Sequence, residues 1–572
     1  MRRNAIIRIR IITSGVLFLA LVLIARLYQI QIIEHEQYSS RAERQYVHTV
    51  TDLYSRGNIF FTTKDGEAVS AATIQSGYLL AIDPTRIEDA EDAYEKLASV
   101  YTLDEEAFLT KAAKTDKTYQ EIASRITNDE ADAIEALGLQ GVQMYRNQWR
   151  YYPGENLASR IIGFIGYAGN TNDTLAGRYG LERYYDDVLT RDGGRISVNF
   201  FAEIFSNIGN VIFDTTKSRT GDVVTTIEPT VSRMLDNQLQ KIQDTYNSDL
   251  TGGIIINPKT GEIYALSVVP TFNLNDRTDT ELIDFQNPLV EDVYEMGSIV
   301  KALTMAVGID SKAVTPATTY YDAGFLDVDG YTIKNYDGRG RGTVSMQEVL
   351  NQSLNTGVTF VVQAMGKDSF RKYFKALKLG SETGVDLPSE THGLISNLDS
   401  PRDVEYATAS FGQGIALTPM ETVRALSALG NGGKLITPHI AKKIEFQDGT
   451  FKDILYPEGT QVFSKETSEE ISRMLTIVVD KALSGGTVKL EHYSVAAKTG
   501  TAQIADNTGG GYYDDRYLHS FFGYFPAYDP EYLIFLYTVE PKNVRYASET
   551  LTTPFMDLTK FLINYYNIPP DR

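Results

Sequence analysis

In the stretch YEMGSIVKAL, Ser298 stands three residues ahead of Lys301 inside an otherwise apolar segment. One helical turn apart, the two side chains share a face. A serine hydroxyl is a poor nucleophile until a base takes its proton. An ammonium cannot be that base, so Lys301 must spend part of its time neutral, which desolvation or a second nearby cation favours by lowering its pKa. The surrounding MGSIVKALTMAVGI supplies apolar burial. The spacing alone is a weak signal, because Ser369 and Lys372 repeat it in DSFRKYFKALKLG. There Arg371, Lys372 and Lys375 line a charged face, which reads as a solvated helix.

Two further short patterns also occur twice each. Ser-x-Asn appears as Ser353-Leu354-Asn355 and as Ser197-Val198-Asn199, and Lys-Thr-Gly as Lys498-Thr499-Gly500 and as Lys259-Thr260-Gly261. Only Ser298, Ser353 and Lys498 run in the order S-x-x-K, S-x-N, K-T-G; the remaining copies run backwards. Context agrees. NPKTGEIY has the chemistry of a hairpin turn after a proline, whereas SVAAKTGTAQI carries small residues along a strand that a peptide backbone can approach.

The elements needed to hold these residues are readable along the chain. From a proline-started helix near Pro229 onwards, GGIIINPKTGEIYALSVV reads as a hairpin, and TPMETVRALSALGNGG and SEEISRMLTIVVDKAL read as helices. YSVAAKTGTAQI and YLIFLYTVE read as late strands, and PFMDLTKFLINYY as a closing helix. Helices set between early and late antiparallel strands predict an α+β domain over residues 217–572. Residues 38–216 read as a non-catalytic spacer or pedestal. Its helical stretches DAEDAYEKLASVY, DEEAFLTKAAK and NDEADAIEALG have acidic first turns, and GVQMYRNQWRYYP reads as a strand.

Composition narrows the function. At 572 residues and 42% hydrophobic content the chain exceeds one core, and 54 basic against 74 acidic residues give a net charge of −20. That balance argues against a nucleic-acid partner. Without cysteine there is no disulfide, thiolate metal site or cysteine nucleophile, and the six histidines are too scattered for a metal cluster. No cofactor and no metal are expected. The N-terminus carries Arg2, Arg3, Arg8 and Arg10 without an acid, followed by a mostly apolar helix over 11–33. At about 1.5 Å per residue such a helix crosses roughly 30 Å of hydrocarbon. The arginines place residues 1–10 in the cytoplasm and the rest outside, as a single-pass cell-membrane protein. A cleaved signal peptide and a buried helix are the competing readings, but no A-x-A-like site follows.

With S-x-x-K, S-x-N and K-T-G in that order, the chain resembles the class B penicillin-binding proteins, monofunctional D,D-transpeptidases of peptidoglycan synthesis. The resemblance extends over nearly the whole chain: SRGNIFFTTKDG, RYYPGENLASRIIGFIG, GRYGLERYYDDVL, GEIYALSVVPTFNLN, TASFGQGIALTPMETVRALSALGNGG, HSFFGYFPAYDPEYLIFLYT and NIPPD all fit. It implies a membrane anchor, a pedestal of the dimerisation type and a penicillin-binding transpeptidase fold, an antiparallel sheet flanked by helices. It further implies that Ser298 attacks the carbonyl between two terminal D-alanines and that Lys301 is its base. Ser353 would relay a proton to the leaving amine, and Asn355 would hold Lys301 and the substrate amide. Lys498 would draw the terminal carboxylate, which Thr499 and Thr501 would bind. The N–H groups of Ser298 and Thr501 would form the oxyanion hole, with Gly500 leaving room for close approach. Where the family has Pro-Gly before the serine, this chain has Met296-Gly297, which predicts a looser lead-in to the nucleophile. FFTTKDG also lacks the family's usual Asp-Arg pair after RGNI. Tyr294, His519 and Gln413 are candidates to line the cleft, with structural roles as the alternative.

The division branch of the family tends to read Glu-Pro-Gly-Ser and Ser-x-Asn, the elongation branch Pro-Pro-Gly-Ser and Ser-x-Asp. Glu295 and Asn355 side with division, a pattern that sporulation paralogues share. The implied partners are peptidoglycan stem peptides ending in D-Ala-D-Ala, β-lactams as inhibitors, division proteins, and a polytopic membrane glycosyltransferase contacting the anchor and pedestal. Besides an elongation-type transpeptidase, the competing classes are a D,D-carboxypeptidase or β-lactamase-like hydrolase and a β-lactam-binding sensor or scaffold. A hydrolase gains nothing obvious from a long spacer, and a sensor needs more cytoplasmic output than residues 1–10 offer.

Overall fold

The computed structural model describes residues 56–168, 174–190, 220–506 and 510–572. The anchor expected over 11–33, and the second Ser-x-Asn copy at Ser197, lie outside them. Among the described residues no helix is long and apolar enough to cross a membrane.

The chain divides into two compact units. The smaller contains Ile74–Tyr151. Its helices Ala90–Ala98, Glu105–Ala112 and Asn128–Glu135 start at Asp89, Asp104 and Thr127, whose side-chain oxygens accept first-turn N–H groups. Thr127 and Glu130 form a reciprocal capping box. These starts set the apolar stripes so that Ala93, Leu97, Phe108, Ala131 and Ile134 meet Leu80, Ile82 and Ile126 of the adjoining strands in one small core. The three helices and the strand Val142–Tyr151 lie where the spacing predicts them.

The larger unit takes in Gly57–Thr73, Tyr152–Thr190 and the chain from residue 220 onwards. Its centre is a five-stranded sheet: β1 (Leu250–Ile256), β2 (Ile263–Val269), β3 (Ala496–Ala505), β4 (Tyr512–Phe525) and β5 (Tyr532–Val539). The order is β3-β4-β5-β1-β2, antiparallel throughout. Side chains alternate across a strand, and here alternate residues feed different cores. Ile255, Phe521, Ile534 and Leu536 pack with Val231, Leu235 and Leu239 of α1 (Pro229–Tyr246) and with Phe555, Leu558 and Leu562 of a C-terminal helix, Thr552–Tyr566. Ile254, Phe522 and Phe535 face the other way, into the core containing Leu303, Met305 and Ala306 of α2 (Val300–Asp310). Every residue of α2 from Val300 to Gly308 is buried. A helix apolar all round belongs inside a core, and this one carries Lys301 there.

The second Lys-Thr-Gly copy is the β1–β2 turn: Asn257 Oδ1 accepts from the N–H groups of Lys259 (2.9 Å) and Thr260 (3.3 Å), and Lys259 pairs with Asp529 at 2.8 Å. The second S-x-x-K copy lies on the helix Lys367–Ala376, with Lys372 in solvent. From RYYPGENLASRIIGFIG, the buried Arg160 donates to the carbonyls of Val268 (3.1 Å), Pro270 (2.8 Å) and Gln286 (2.9 Å). Between α2 and α3 (Asn355–Met365) lie two small hairpins, Thr319–Asp322 with Gly342–Ser345 and Phe325–Val328 with Tyr331–Lys334.

Candidate active site

Ser298 sits in a single 3-10 turn, Gly297–Ile299, that feeds directly into α2. The turn is pressed from two sides. Gly297 has φ +65° and its N–H donates to the Gly412 carbonyl at 3.1 Å; a Cβ on Gly412 (φ +77°) would lie 2.3 Å from the Gly297 oxygen. On the other side lies β3. A Cβ on Gly500 would meet Ser520 Oγ at 2.3 Å, the Met296 carbonyl at 2.7 Å and the Ile299 nitrogen at 3.0 Å. The room at Gly500 is therefore taken by the nucleophile turn of the protein itself. The looser lead-in expected from Met296 is not what the packing displays. Met296 is buried, its φ of −81° is close to a proline's, and its carbonyl accepts from Ser520 Oγ at 2.7 Å.

That packing makes a prediction. Gly500→Ala must displace Ser520 or the Ser298 turn, at a cost of about 1–3 kcal/mol for overpacking. Acylation by a β-lactam should fall at least about tenfold, since sub-ångström errors at a nucleophile are costly. Stopped-flow acylation beside a thermal melt checks it, and wild-type values in both would contradict the packing argument.

Lys301 is fully buried, and its Nζ lies 2.6 Å from the Ser353 carbonyl oxygen and 3.1 Å from Ser353 Oγ. Lys498, buried on β3, reaches the same Oγ at 3.0 Å and the Thr499 carbonyl at 3.0 Å. One hydroxyl thus separates two lysines drawn from a core helix and a sheet edge. Ser353 occupies the left-handed region, φ +55°, between the helix Met346–Asn351 and α3. Burial drives Lys301 well below the ordinary lysine value, and the charge of Lys498 adds to the effect. Burial also brings Lys498 down to about 7. At Lys301 the shift favours the neutral amine, the form a base requires; at Lys498 an incoming carboxylate would restore the ammonium.

The sign of the pH dependence follows. Lowering the pH through about 7 protonates Lys498, and further acid protonates Lys301, whose ammonium cannot take the Ser298 proton. The acylation rate should therefore fall on the acid side by up to tenfold per pH unit. An acylation rate that rises as the pH is lowered would remove a neutral Lys301 as the base.

Of the sequence-predicted residues, the structure brings together Lys301, Ser353 and Lys498 by hydrogen bonds, and Ser298 and Gly500 by packing. Thr499 and Thr501 are half-buried on β3, and Thr501 Oγ1 accepts from the Ala547 N–H at 3.0 Å. Its hydroxyl hydrogen is left to donate to an anion. Asn355 departs from expectation. As the first residue of α3 it points its amide at the Lys334 carbonyl (2.8 Å), while Lys301 Nζ hydrogen-bonds to the carbonyl and Oγ of Ser353. The helix start turns its side chain outward while Ser353 turns inward.

His519 is buried and neutral, its pKa lowered to about 4 by burial, with Nδ1 on Thr550 Oγ1 (2.9 Å) and Nε2 on the Arg545 carbonyl (3.0 Å). Tyr294 donates to Asp292 at 3.1 Å. Sequence reasoning missed Ser520 as the prop beneath Met296. It also missed Glu295 Oε1 as the acceptor joining the Gly414 N–H (2.9 Å) to the Tyr512 hydroxyl (3.0 Å). The paired glycines of SFGQG, Gly412 and Gly414, were the available signal for the second of these contacts, in which Gly414 supplies the N–H.

Among the described residues no group of histidines and carboxylates could hold a metal ion. Comparison with known proteins places this geometry. Residues 251–559 match the family described as Penicillin binding protein transpeptidase domain, and residues 53–225 match the Penicillin-binding Protein dimerisation domain. Stage V sporulation protein D of Bacillus subtilis is 31% identical over 547 residues, 94% of this chain and 82% of that protein. The peptidoglycan D,D-transpeptidase FtsI homolog of Mesostigma viride is 25% identical, over 98% and 96% of the two chains. The crystal structure of penicillin binding protein 2X from Streptococcus thermophilus shares the fold, with a TM-score of 0.71 and 23% identity over 90% of this chain and 80% of that one.

Proposed function

The chain belongs to the penicillin-binding proteins and is a peptidoglycan D,D-transpeptidase that works through a serine acyl-enzyme, and on that premise we propose how its residues divide the reaction. The observation that carries the assignment is the single Ser353 hydroxyl contacted by both Lys301 and Lys498.

A neutral amine has two N–H bonds and one lone pair. At Lys301 the two N–H bonds point at the Ser353 carbonyl and Oγ, so the lone pair is left for Ser298. Ser298 Oγ attacks the carbonyl between the two terminal D-alanines, and its proton passes to Lys301 Nζ. Ser353 Oγ accepts from both lysines, which uses its two lone pairs and leaves its own hydrogen free to donate. As the C–N bond breaks, that hydrogen goes to the departing D-alanine amine, and Lys301 replaces it. Protonated Lys498 spends two N–H bonds on Ser353 Oγ and the Thr499 carbonyl and has a third for the peptide's terminal carboxylate, together with the Thr499 and Thr501 hydroxyls. The N–H groups of Ser298 and Thr501 serve the oxyanion. An amine of a neighbouring stem peptide then attacks the ester, releases Ser298 and completes the cross-link. The Asn355 amide acts on the substrate side of the cleft: one Nδ2 hydrogen stays on the Lys334 carbonyl, and the second and Oδ1 serve the substrate amide.

On this reading residues 1–10 are cytoplasmic, 11–33 span the membrane, 38–216 are the pedestal and 217–572 the transpeptidase domain, outside the cell. β-Lactams acylate Ser298 as mimics of D-Ala-D-Ala, and glycan strands come from a polytopic glycosyltransferase that contacts the anchor and pedestal. Glu295 and Asn355 support a role in septal wall synthesis. The name of the Bacillus subtilis relative favours a second reading, a role confined to sporulation. Depletion in the host separates them. Filaments with failed septa support division, normal growth with failed spores supports the second reading, and rounded cells that still divide would overturn both for an elongation role.

A further inference from the structure

The turn that sets Ser353 between the two lysines is held from a hairpin, and we propose that Asn335 is a positioning residue of the transpeptidase, fixing Ser353 through the first turn of α3. The inference rests on the assignment of Ser353 as the proton relay.

The first N–H groups of a helix need outside acceptors, usually a Ser, Thr, Asp or Asn side chain at the N-cap. At the N-cap of α3 stands Leu354, fully buried, which has no side-chain oxygen to offer. The acceptor comes instead from Asn335. Its Oδ1 accepts from the Thr356 N–H at 3.3 Å and lies 3.1 Å from Thr356 Oγ1. Its Nδ2 donates to both oxygens of Asp322, at 3.0 and 3.1 Å. The Asp322 carboxylate also receives the N–H groups of Gly324 (3.0 Å) and Arg341 (3.0 Å) and the Thr356 hydroxyl (2.8 Å). Asn335 is 3% exposed and Asp322 1%. The residue before Asn335 joins in, because the Lys334 carbonyl accepts from Asn355 Nδ2 at 2.8 Å. Two consecutive residues of the hairpin therefore grip the first two residues of α3.

Ser353 lies immediately before this grip and holds φ +55°, a conformation a non-glycine residue keeps only where its surroundings enforce it. On one side the turn is anchored by Leu354, whose N–H donates to the Val349 carbonyl at 2.9 Å; on the other the anchor is Asn335. Releasing the second anchor lets the turn relax and draws Ser353 Oγ away from the two Nζ atoms. A serine at position 354 would have capped the helix locally. The chain uses that position to fill the core and assigns the cap to the hairpin, so the hairpin sets the relay.

The test uses the full-length protein, with Asn335→Ala, Asn335→Ser and Ser353→Ala beside the wild type. Acylation by a fluorescent penicillin is followed at saturating concentrations, to separate the dissociation constant of the non-covalent complex from the acylation rate constant, across the pH range. Both Asn335 variants should lose roughly ten- to a hundredfold in the rate constant, the scale of an ångström-sized misplacement. The dissociation constant should stay within about threefold, because β3 is untouched. The acid limb should also move, since Ser353 Oγ no longer lies between the lysines. A purely structural cap would lower the melting temperature but leave the rate constant and the acid limb of the folded fraction unchanged, and that result overturns the proposal. If Asn335→Ala does not fold, the same readings on Asn335→Ser decide. Wild-type acylation by Ser353→Ala would remove the relay assignment and the proposal with it; loss in Ser353→Ala with no loss in the Asn335 variants would remove the proposal alone.

Discussion

Ser298→Ala should abolish covalent labelling by a fluorescent penicillin on a denaturing gel, while Ser369→Ala labels like the wild type. The two serines share the same local spacing to a lysine and differ in everything the fold adds. Ser298 is half-buried in a turn gripped by the backbones of Gly412 and Gly500, one turn ahead of a lysine that burial pushes towards the neutral amine. Ser369 lies on a helix whose Lys372 is in solvent. Removing the nucleophile should cost at least about a thousandfold in acylation rate, as losses of catalytic groups that act as a unit do. The two variants should melt close to the wild type, because Ser298 Oγ fills no core cavity. Labelling of Ser298→Ala at a comparable rate would end the assignment.

Lys301→Arg should be nearly as damaging, although it conserves charge. A guanidinium does not deprotonate in proteins, so no lone pair is available for the Ser298 proton. Loss of a general base is worth roughly 10²–10⁴ in rate. The larger, permanently charged head would also stand beside Lys498 in a fully buried site, where a like charge has no solvent to screen it. Lys301→Met, of similar volume and uncharged, separates these effects: it should fold at least as stably as Lys301→Arg and acylate as poorly. Lys372→Arg should change nothing. Acylation by Lys301→Arg at the wild-type rate would make Lys301 a structural residue.

Local rules reach part of this structure. The helix starts at Asp89, Asp104 and Thr127, the β1–β2 turn and the strand bearing Lys498 follow from capping, turn chemistry and period-two alternation. The pairing of Ser298 with Lys301 follows from helical spacing and the apolar run around it. What was not legible depends on contacts far apart in the chain. The Met296 carbonyl meets Ser520 only because β4 runs behind the nucleophile turn, and Asn355 turns to Lys334 only because a hairpin lies beside α3. The left-handed Ser353 has no local signal, since the residue types around it suit an ordinary turn. Gly500 could be recognised as a site of close approach, but only the register of β3 against the turn shows that the approaching group is the protein's own backbone. Likewise the apolar Leu354 conceals a helix start whose cap lies in another element.

The most direct test of the central claim is the product of the reaction. The full-length enzyme in detergent is given uncross-linked glycan strands bearing stem pentapeptides, and free D-alanine and the digested muropeptides are measured by mass spectrometry. A transpeptidase releases one D-alanine for each cross-linked dimer formed, and a penicillin that acylates Ser298 abolishes both products together. Release of D-alanine with only tetrapeptide monomers would mean that water, not an amine, resolves the acyl-enzyme, and would contradict the account.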